Sequence, residues 1–578
     1  MNGFLRQEYP RPQFERAEWM SLNGPWEFSF DHETYNRTIC VPFAFEASLS
    51  GIGLRESHDR VWYRRSFTVP DEWSGRQVLL HFGAVDYECD VWVNDRHVRH
   101  HIGGQSSFEV NITDALTSSE NHLRVCARDF HKDLDIPRGK QFWKETSESI
   151  FYTPTTGIWQ SVWLEPVSPQ YIHQILITPC LDEKEVKFDY ELEATDGCAL
   201  ETEISFKGCN AVKTLVYPSN SRGTFRIKLD EATLGVWNVV EDLAWTPEQP
   251  RLFDVIFRLT QKEKTLDKVR SYFGMRKVSV ENGCFLLNNR PYFQRLLLDQ
   301  GYWPEGLLTA PTDDAFIQDI MLAKQMGFNG VRKHQKVEDP RFLYHADRLG
   351  LLVWGEIGSG YTYSRRLVTD MAAEWTDTVL RDYNHPCIVV WTPLNESWGV
   401  LEIAHQPEQQ AFCRALAALT KSLDTTRLVS DNDGWEHVSS DLLTIHDYEF
   451  SENRLKKRYA ALEQILLDRP AGRALYVEGA DYHGEPVIVS ECGGISYAPA
   501  GANGWGYSAA ESEEDFLERY RAIVAPLIES PCVQGFCYTQ LTDVEQEING
   551  LLTYERKPKA NLEKIKQITE KGSFIKEG

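Results

Sequence analysis

The spacing of hydrophobic positions changes twice along this chain. Up to about residue 168 apolar residues alternate or form short runs, at Arg64–Val69, Val78–Phe82, Cys89–Val93 and His122–Ala127, with Gly, Asn, Asp or Pro between them. Val93-Asn-Asp-Arg96 is a turn signal joining two such runs. Short strands at this spacing predict a jelly-roll β-sandwich over residues 1–168. Over 169–277 period-two alternation continues at 175–178, 186–190, 225–229 and 255–259, predicting a second, immunoglobulin-like sandwich. The Pro-rich stretch Trp245 to Pro250 reads as a loop. From 278 to 578 strand-like runs alternate with helical periodicity. Eight strand candidates lie near 293–298, 328–332, 351–355, 387–394, 427–430, 442–446, 487–490 and 533–538. Helices are expected over 313–326, with Phe316, Ile317, Ile320, Met321 and Ala323 apolar, and over 409–423. Eight βα units predict a parallel (β/α)8 TIM barrel.

Two glutamates end buried-type strands in that last region: Glu396 in Trp-Thr-Pro-Leu-Asn-Glu-Ser and Glu491 in Val-Ile-Val-Ser-Glu-Cys-Gly-Gly. They are 95 positions apart. A barrel unit takes roughly 31 residues, so the spacing puts one after strand 4 and the other after strand 7. Strand ends at that face surround a barrel's active-site mouth. Two carboxylates facing each other there are the minimal machinery for breaking a glycosidic bond.

Composition narrows the partners. The 578 residues exceed one core and imply two to four domains. A formal net charge of −24 argues against nucleic acid and anionic membranes, both of which need a basic face. No run reaches the ~18 apolar residues of a membrane span, and no signal-peptide pattern is visible at the start. The 12 Cys lack metal-ligand spacing. Cys89, Cys126, Cys387 and Cys537 sit in strand patterns as core thiols, and Cys532 and Cys537 match no zinc or redox motif. A reducing, cytoplasmic location is therefore expected. The 17 Trp suit sugar-stacking platforms and sandwich cores alike.

Several motifs, in order, resemble glycoside hydrolase family 2. These are Leu22-Asn-Gly-Pro-Trp-Glu-Phe, Val91-Trp-Val-Asn, Gly157-Ile-Trp-Gln-Ser-Val-Trp-Leu-Glu, Leu243-Ala-Trp-Thr-Pro-Glu-Gln-Pro-Arg-Leu-Phe, Phe273-Gly-Met-Arg, Asn329-Gly-Val-Arg, Asn395-Glu396 and Ser490-Glu491. The resemblance spans almost the whole chain. It implies an exo-acting retaining glycoside hydrolase without a cofactor, with Glu396 as acid/base and Glu491 as nucleophile. It further implies that Arg332 and Tyr448 bind the nucleophile and that Asn395 binds the sugar 2-hydroxyl.

Other residues expected at the mouth follow from their place after predicted strands. His446 would position Glu396 or the leaving group. Asp299 and Trp303 would bind and stack on the sugar, and Glu356 would bind a hydroxyl or hold Arg332. Asp433 and Trp435 would line the subsite, and Tyr538 would floor the sugar ring in place of the family's common strand-8 Trp. For acid catalysis Glu396 must hold a proton, which calls for a pKa raised by burial or by Glu491. Glucuronidases of the family carry Asn-x-Lys after strand 8, where this chain has Glu547-Ile-Asn549. That substitution disfavours an acidic sugar unless Lys333 or Lys336 reaches over. The expected substrate is thus a small glycoside or oligosaccharide with a neutral, galactoside-like terminal sugar. A furanoside is the alternative within the family, and a catalytically silent carbohydrate-binding protein is the alternative outside it. No metal ligand set is readable, and a homo-oligomer is compatible with the chain.

Overall fold

The computed structural model describes residues 6–206, 208–229, 237–238, 242–498 and 504–572. The first sandwich packs a six-stranded antiparallel sheet on a four-stranded one. The larger sheet runs Arg37–Val41, Gly24–Phe30, Arg60–Phe67, Asn121–Arg128, Glu88–Val93, Arg96–Ile102; the smaller runs Met20–Ser21, Val162–Val167, Gln77–Phe82, Phe108–Asn111. Their inward faces close over Trp26, Phe28, Tyr63, Leu80, Val91, Val125 and Leu164. The Val93-Asn-Asp-Arg96 turn holds Asn94 at φ 54°, a left-handed conformation that Asn tolerates.

The second sandwich sets Ile172–Cys180, Glu185–Leu192 and Arg222–Lys228 against Cys209–Val216, Cys198–Phe206, Phe253–Gln261 and Lys264–Phe273. Arg16 ties the two sandwiches together, with its Nε and Nη2 on Asp267 (3.0 and 2.9 Å) and its Nη1 on Glu165 (2.9 Å). Trp245, in the Pro-rich loop, is fully buried and donates from Nε1 to the Asp347 carbonyl of the barrel at 2.8 Å.

The barrel strands are β1 (Gln294–Asp299), β2 (Gly330–Lys333), β3 (Leu352–Glu356), β4 (Ile388–Thr392), β5 (Leu428–Val429), β6 (Leu443–Asp447), β7 (Val487–Gly493) and β8 (Val533–Thr539). They hydrogen-bond in the order 5-4-3-2-1-8-7-6, every pair parallel. Between β5 and β6 side chains do the joining: Ser430 Oγ meets Thr444 Oγ1 at 3.2 Å, and Thr444 Oγ1 accepts from Gly434 N at 3.0 Å. Nothing between Val429 and Leu443 is helical, so the regular eightfold alternation fails at unit five. That stretch instead forms a buried loop that feeds the site. The helix Asp313–Gln325 turns Phe316, Ile320 and Ala323 inward, but Met321 is 40 % exposed. Asp319 takes a buried place on that helix because Arg556 pairs with it at 3.2 Å. No described helix is long and apolar enough to cross a membrane.

One departure from layered packing matters for the site. From Asp129 to Thr156 the first sandwich sends out a long excursion without regular strands, and it lies over the barrel mouth. Gly139, at φ +60°, touches the barrel so closely that a Cβ there would meet the Gln335 carbonyl oxygen at 2.1 Å. Tyr361, after β3, donates its hydroxyl to the Gly139 carbonyl.

Candidate active site

Glu491 lies on β7 and Glu396 four residues past the end of β4, and carboxylate oxygens of the two come within 4.8 Å of each other. Glu396 and the following Ser397 sit at φ 52° and 59°, a region that costs non-glycine residues about 1–3 kcal/mol each. The loop after β5 holds them there. Glu396 N donates to the Asp433 carbonyl (2.9 Å), Ser397 N to Asn432 Oδ1 (2.9 Å), and Ser397 Oγ to Glu436 (2.6 Å).

Glu491 is 4 % exposed and receives two donors: the Tyr448 hydroxyl at 2.6 Å on Oε2 and Arg332 Nη1 at 3.2 Å on Oε1. Burial and then Glu491 push the Tyr448 phenol well above its ordinary range, so it stays a proton donor. Its ring stacks on Tyr507 with centroids 3.6 Å apart. Arg332 is fully buried and is the hub of the site. It meets Glu356 Oε1 and Asp433 Oδ2 at 2.7 Å each, the Ser490 carbonyl at 2.7 Å and Asn395 Oδ1 at 3.0 Å. Asn395 thereby has its oxygen engaged, while its buried Nδ2 has no partner among the described residues. That leaves a donor available beside the two carboxylates.

The electrostatics of Glu396 differ from expectation. Burial alone would raise its carboxyl, but His446, hydrogen-bonded at 2.8 Å from Nδ1 to Oε1, and Lys140 beyond it bring the pKa down to about 2. Burial opposes charge on His446, yet Glu491, Asp433 and Glu396 surround it and raise its pKa to about 10. The proton shared by this pair therefore rests on the imidazole. The sequence places His446 beside Glu396 but does not show that the imidazole holds the proton.

Of the other expected mouth residues, Glu356 holds Arg332, and Trp435 lies edge-on to His446 with centroids 5.5 Å apart. Four expectations are corrected. Asp433 does not line a subsite; it is fully buried beneath the site, clamping Arg332 and His446 Nε2 (2.7 Å). Asp299 turns away from the mouth to pair with Lys333 at 2.7 Å. Trp303 is 3 % exposed in the core against Phe316, with Lys336 and Arg556 over its ring, and offers no face to a sugar. Tyr538 points outward onto Tyr520 of the helix Glu513–Glu529, because side chains alternate along β8. Thr539, the next residue, faces the site and meets Tyr448 at 3.1 Å. Lys333 and Lys336 cannot reach over the mouth either. They are 1 % and 2 % exposed, Lys333 bound to Asp299 and Glu338 and Lys336 to Glu338 and two carbonyls.

Residues outside the sequence reading also line the mouth. Trp398 donates to Glu396 Oε2 at 3.3 Å and packs with Tyr361 and Phe151, and Trp143 packs on both of those. Phe151 and Trp143 belong to the sandwich excursion. Glu396, His446 and Glu491 together present three close ligand atoms. Both imidazole nitrogens and both Glu491 oxygens are already engaged, so a metal ion would have to break those bonds.

Two β-sandwiches thus front a parallel barrel whose strand ends bring two glutamates face to face. The chain belongs to glycoside hydrolase family 2. Family models described as glycosyl hydrolases family 2, sugar binding domain, as glycosyl hydrolases family 2, and as glycosyl hydrolases family 2, TIM barrel domain match residues 26–163, 170–276 and 278–574. The chain is 25 % identical over 423 residues to a putative beta-glucuronidase of Formosa agariphila, covering 71 % of this chain and 47 % of that one. It is 28 % identical over 399 residues to a beta-galactosidase of Thermoanaerobacter pseudethanolicus, covering 66 % and 51 %. It thus spans about half the length of these relatives. The structure of a beta-D-glucuronidase of Dictyoglomus thermophilum superposes with a TM-score of 0.79 over 98 % of this chain and 100 % of that one, at 21 % identity. A GH2 beta-galacturonidase from Eisenbergiella tayi gives 0.75 over the whole of both chains at 19 %. At such identities the superpositions show the fold.

Proposed function

We propose that this protein is an exo-acting retaining glycoside hydrolase working by double displacement. The observation that carries the reading is the Glu396–Glu491 approach, with carboxylate oxygens within 4.8 Å, which suits the ~5–5.5 Å of retaining enzymes better than the ~6.5–9.5 Å of inverting ones. Glu491, held by Arg332 and Tyr448, attacks the anomeric carbon. The glycosidic oxygen takes a proton from Glu396 as its bond to the sugar breaks. That proton reaches Glu396 along the 2.8 Å hydrogen bond from His446, whose charge Asp433 stabilises, so Glu396 is left ionised and His446 neutral once it has been passed on. In the second half Glu396 takes a proton from water, which attacks the glycosyl–Glu491 ester and regenerates both groups. Asn395 Nδ2 is placed to bind the sugar 2-hydroxyl, a contact that strengthens in the transition state. A silent binding protein would have no use for a strained acid or for two donors on a buried carboxylate.

Relatives are named for both galactosides and glucuronides. The β8 corner by itself supports a neutral, galactoside-like sugar. There Glu547 is buried with Asn549 at 3.0 Å and the Tyr152 hydroxyl, and among the described residues no cation forms an ion pair with it. The test of the class is the anomer first released from an aryl β-glycoside, followed by proton NMR. Retention is expected, with loss of turnover in Glu491→Gln. An inverted first product sinks the reading.

A further inference from the structure

The sandwich excursion brings Lys140 to the barrel mouth. The residue is 8 % exposed, fixed through its own carbonyl, which accepts from Tyr152 N at 2.9 Å, and through Gly139, wedged against Gln335. Its charge acts on Glu396, His334 and Glu547, which lie around the space in front of Glu491. Yet among the described residues no carboxylate reaches ion-pair distance of its ammonium and no acceptor meets it. Every other cation at the mouth is engaged. Arg332 pairs with three carboxylates, His446 is held at both nitrogens, and Lys333 and Lys336 are locked outside the barrel.

A nearly buried ammonium without a partner loses its remaining water when a sugar enters. A hydroxyl would engage one of its three protons and leave the charge uncompensated; a carboxylate compensates it. Across the space, Glu547 is poorly placed to repel such a group, since burial raises its carboxyl and Tyr152 and Asn549 hold its two oxygens.

Resting on the glycosidase reading above, we infer that Lys140 is a specificity-determining residue, contributed by the first sandwich rather than by the barrel, that binds the carboxylate of a uronic-acid glycoside. The anion reader has thereby moved from β8 to another domain. The sandwich is part of the substrate site, its Phe151 and Trp143 walling the same mouth.

The test compares matched aryl β-glycosides, glucuronide with glucoside and galacturonide with galactoside, by kcat/KM. The wild-type enzyme should favour the acidic member of one pair at least about a hundredfold. Lys140→Met should collapse that ratio by roughly two orders of magnitude, chiefly through KM, and Lys140→Arg should restore part of it. Taking the ratio cancels any effect of the lost charge on Glu396. A second measurement needs no variant: free uronic acid should inhibit wild-type turnover far more strongly than its neutral parent sugar. A neutral preference in the wild type, or equal losses on both members in Lys140→Met, overturns the inference while leaving the glycosidase reading intact. A panel with no turnover on any member would instead sink the glycosidase reading.

Discussion

His446 Nδ1 lies 2.8 Å from Glu396 Oε1, and the imidazole's other nitrogen is held by Asp433 at 2.7 Å. The acid/base is thus half of a pair that shares one proton. With His446 raised to about 10 and Glu396 lowered to about 2, the pair keeps one proton across the whole neutral range. The basic limb of kcat/KM in wild type should accordingly lie far into alkaline pH. His446→Gln removes the imidazole, the main group lowering the Glu396 carboxyl, and leaves burial, which raises it, opposed by Lys140. The basic limb should then fall to the titration of Glu396 alone, roughly pH 5–7, with a loss in kcat at neutral pH. An unchanged limb would show that His446 is merely structural.

Glu491 accepts from both Tyr448 and Arg332, and only its charge attacks. Glu491→Ala removes that charge and opens a small space at the anomeric carbon. Azide should restore turnover to this variant and yield the glycosyl azide of inverted configuration. Azide rescue of Glu396→Ala should give the retained azide instead. Swapped products would exchange the two assignments.

Arg332 is surrounded by the Asp433, Glu356 and Glu491 carboxylates, all buried. Arg332→Met leaves three anions without their cation. Removing one partner from a buried ionic network destabilises by about 3–5 kcal/mol. Loss of a donor on the nucleophile adds roughly a hundredfold loss in kcat/KM. Arg332→Lys should recover little, because an ammonium cannot bridge three carboxylates in the plane of a guanidinium. Thermal unfolding alongside kinetics checks both halves. A variant as stable as wild type would contradict the network's role.

The barrel strands and the two glutamates were legible because buried parallel strands are continuous apolar runs whose ends need no tertiary information. Arg332, Tyr448, His446 and Asn395 were legible for the same reason, each lying at or next to such an end. Tyr538 and Trp303 misled because an aromatic at a strand end can face either the mouth or the helices, and one residue of register decides. Thr539 faces the mouth instead. Asp299 and Asp433 misled because a carboxylate near the mouth is equally able to pair beneath it. Lys140 was illegible: it lies more than 250 residues before Glu396, in another domain, and tertiary contacts such as the packing of Gly139 on Gln335 carry it to the site.

A second interdomain contact, away from that excursion, should make stability fall with pH. Glu374, on the helix Arg365–Asp382, accepts from Gln105 N and Ser106 N of the first sandwich, and its other oxygen is buried without a partner. Burial, assisted by Asp377 and Asp370, raises its carboxyl to about 8. An unfolded Glu releases its proton near 4.3. Between these values the unfolded chain binds fewer protons than the folded one, so stability is full below about pH 4.3 and declines as pH rises to 8, by up to about 1.4 kcal/mol per unit. Above pH 8 both states are ionised and the loss levels off. Glu374→Gln keeps the acceptor for Gln105 and Ser106 and cannot ionise. Its melting temperature should therefore exceed that of wild type by little at pH 5, by more at pH 6.5 and by most at pH 8. A difference that stays constant across the three pH values would mean that Glu374 does not titrate in this range.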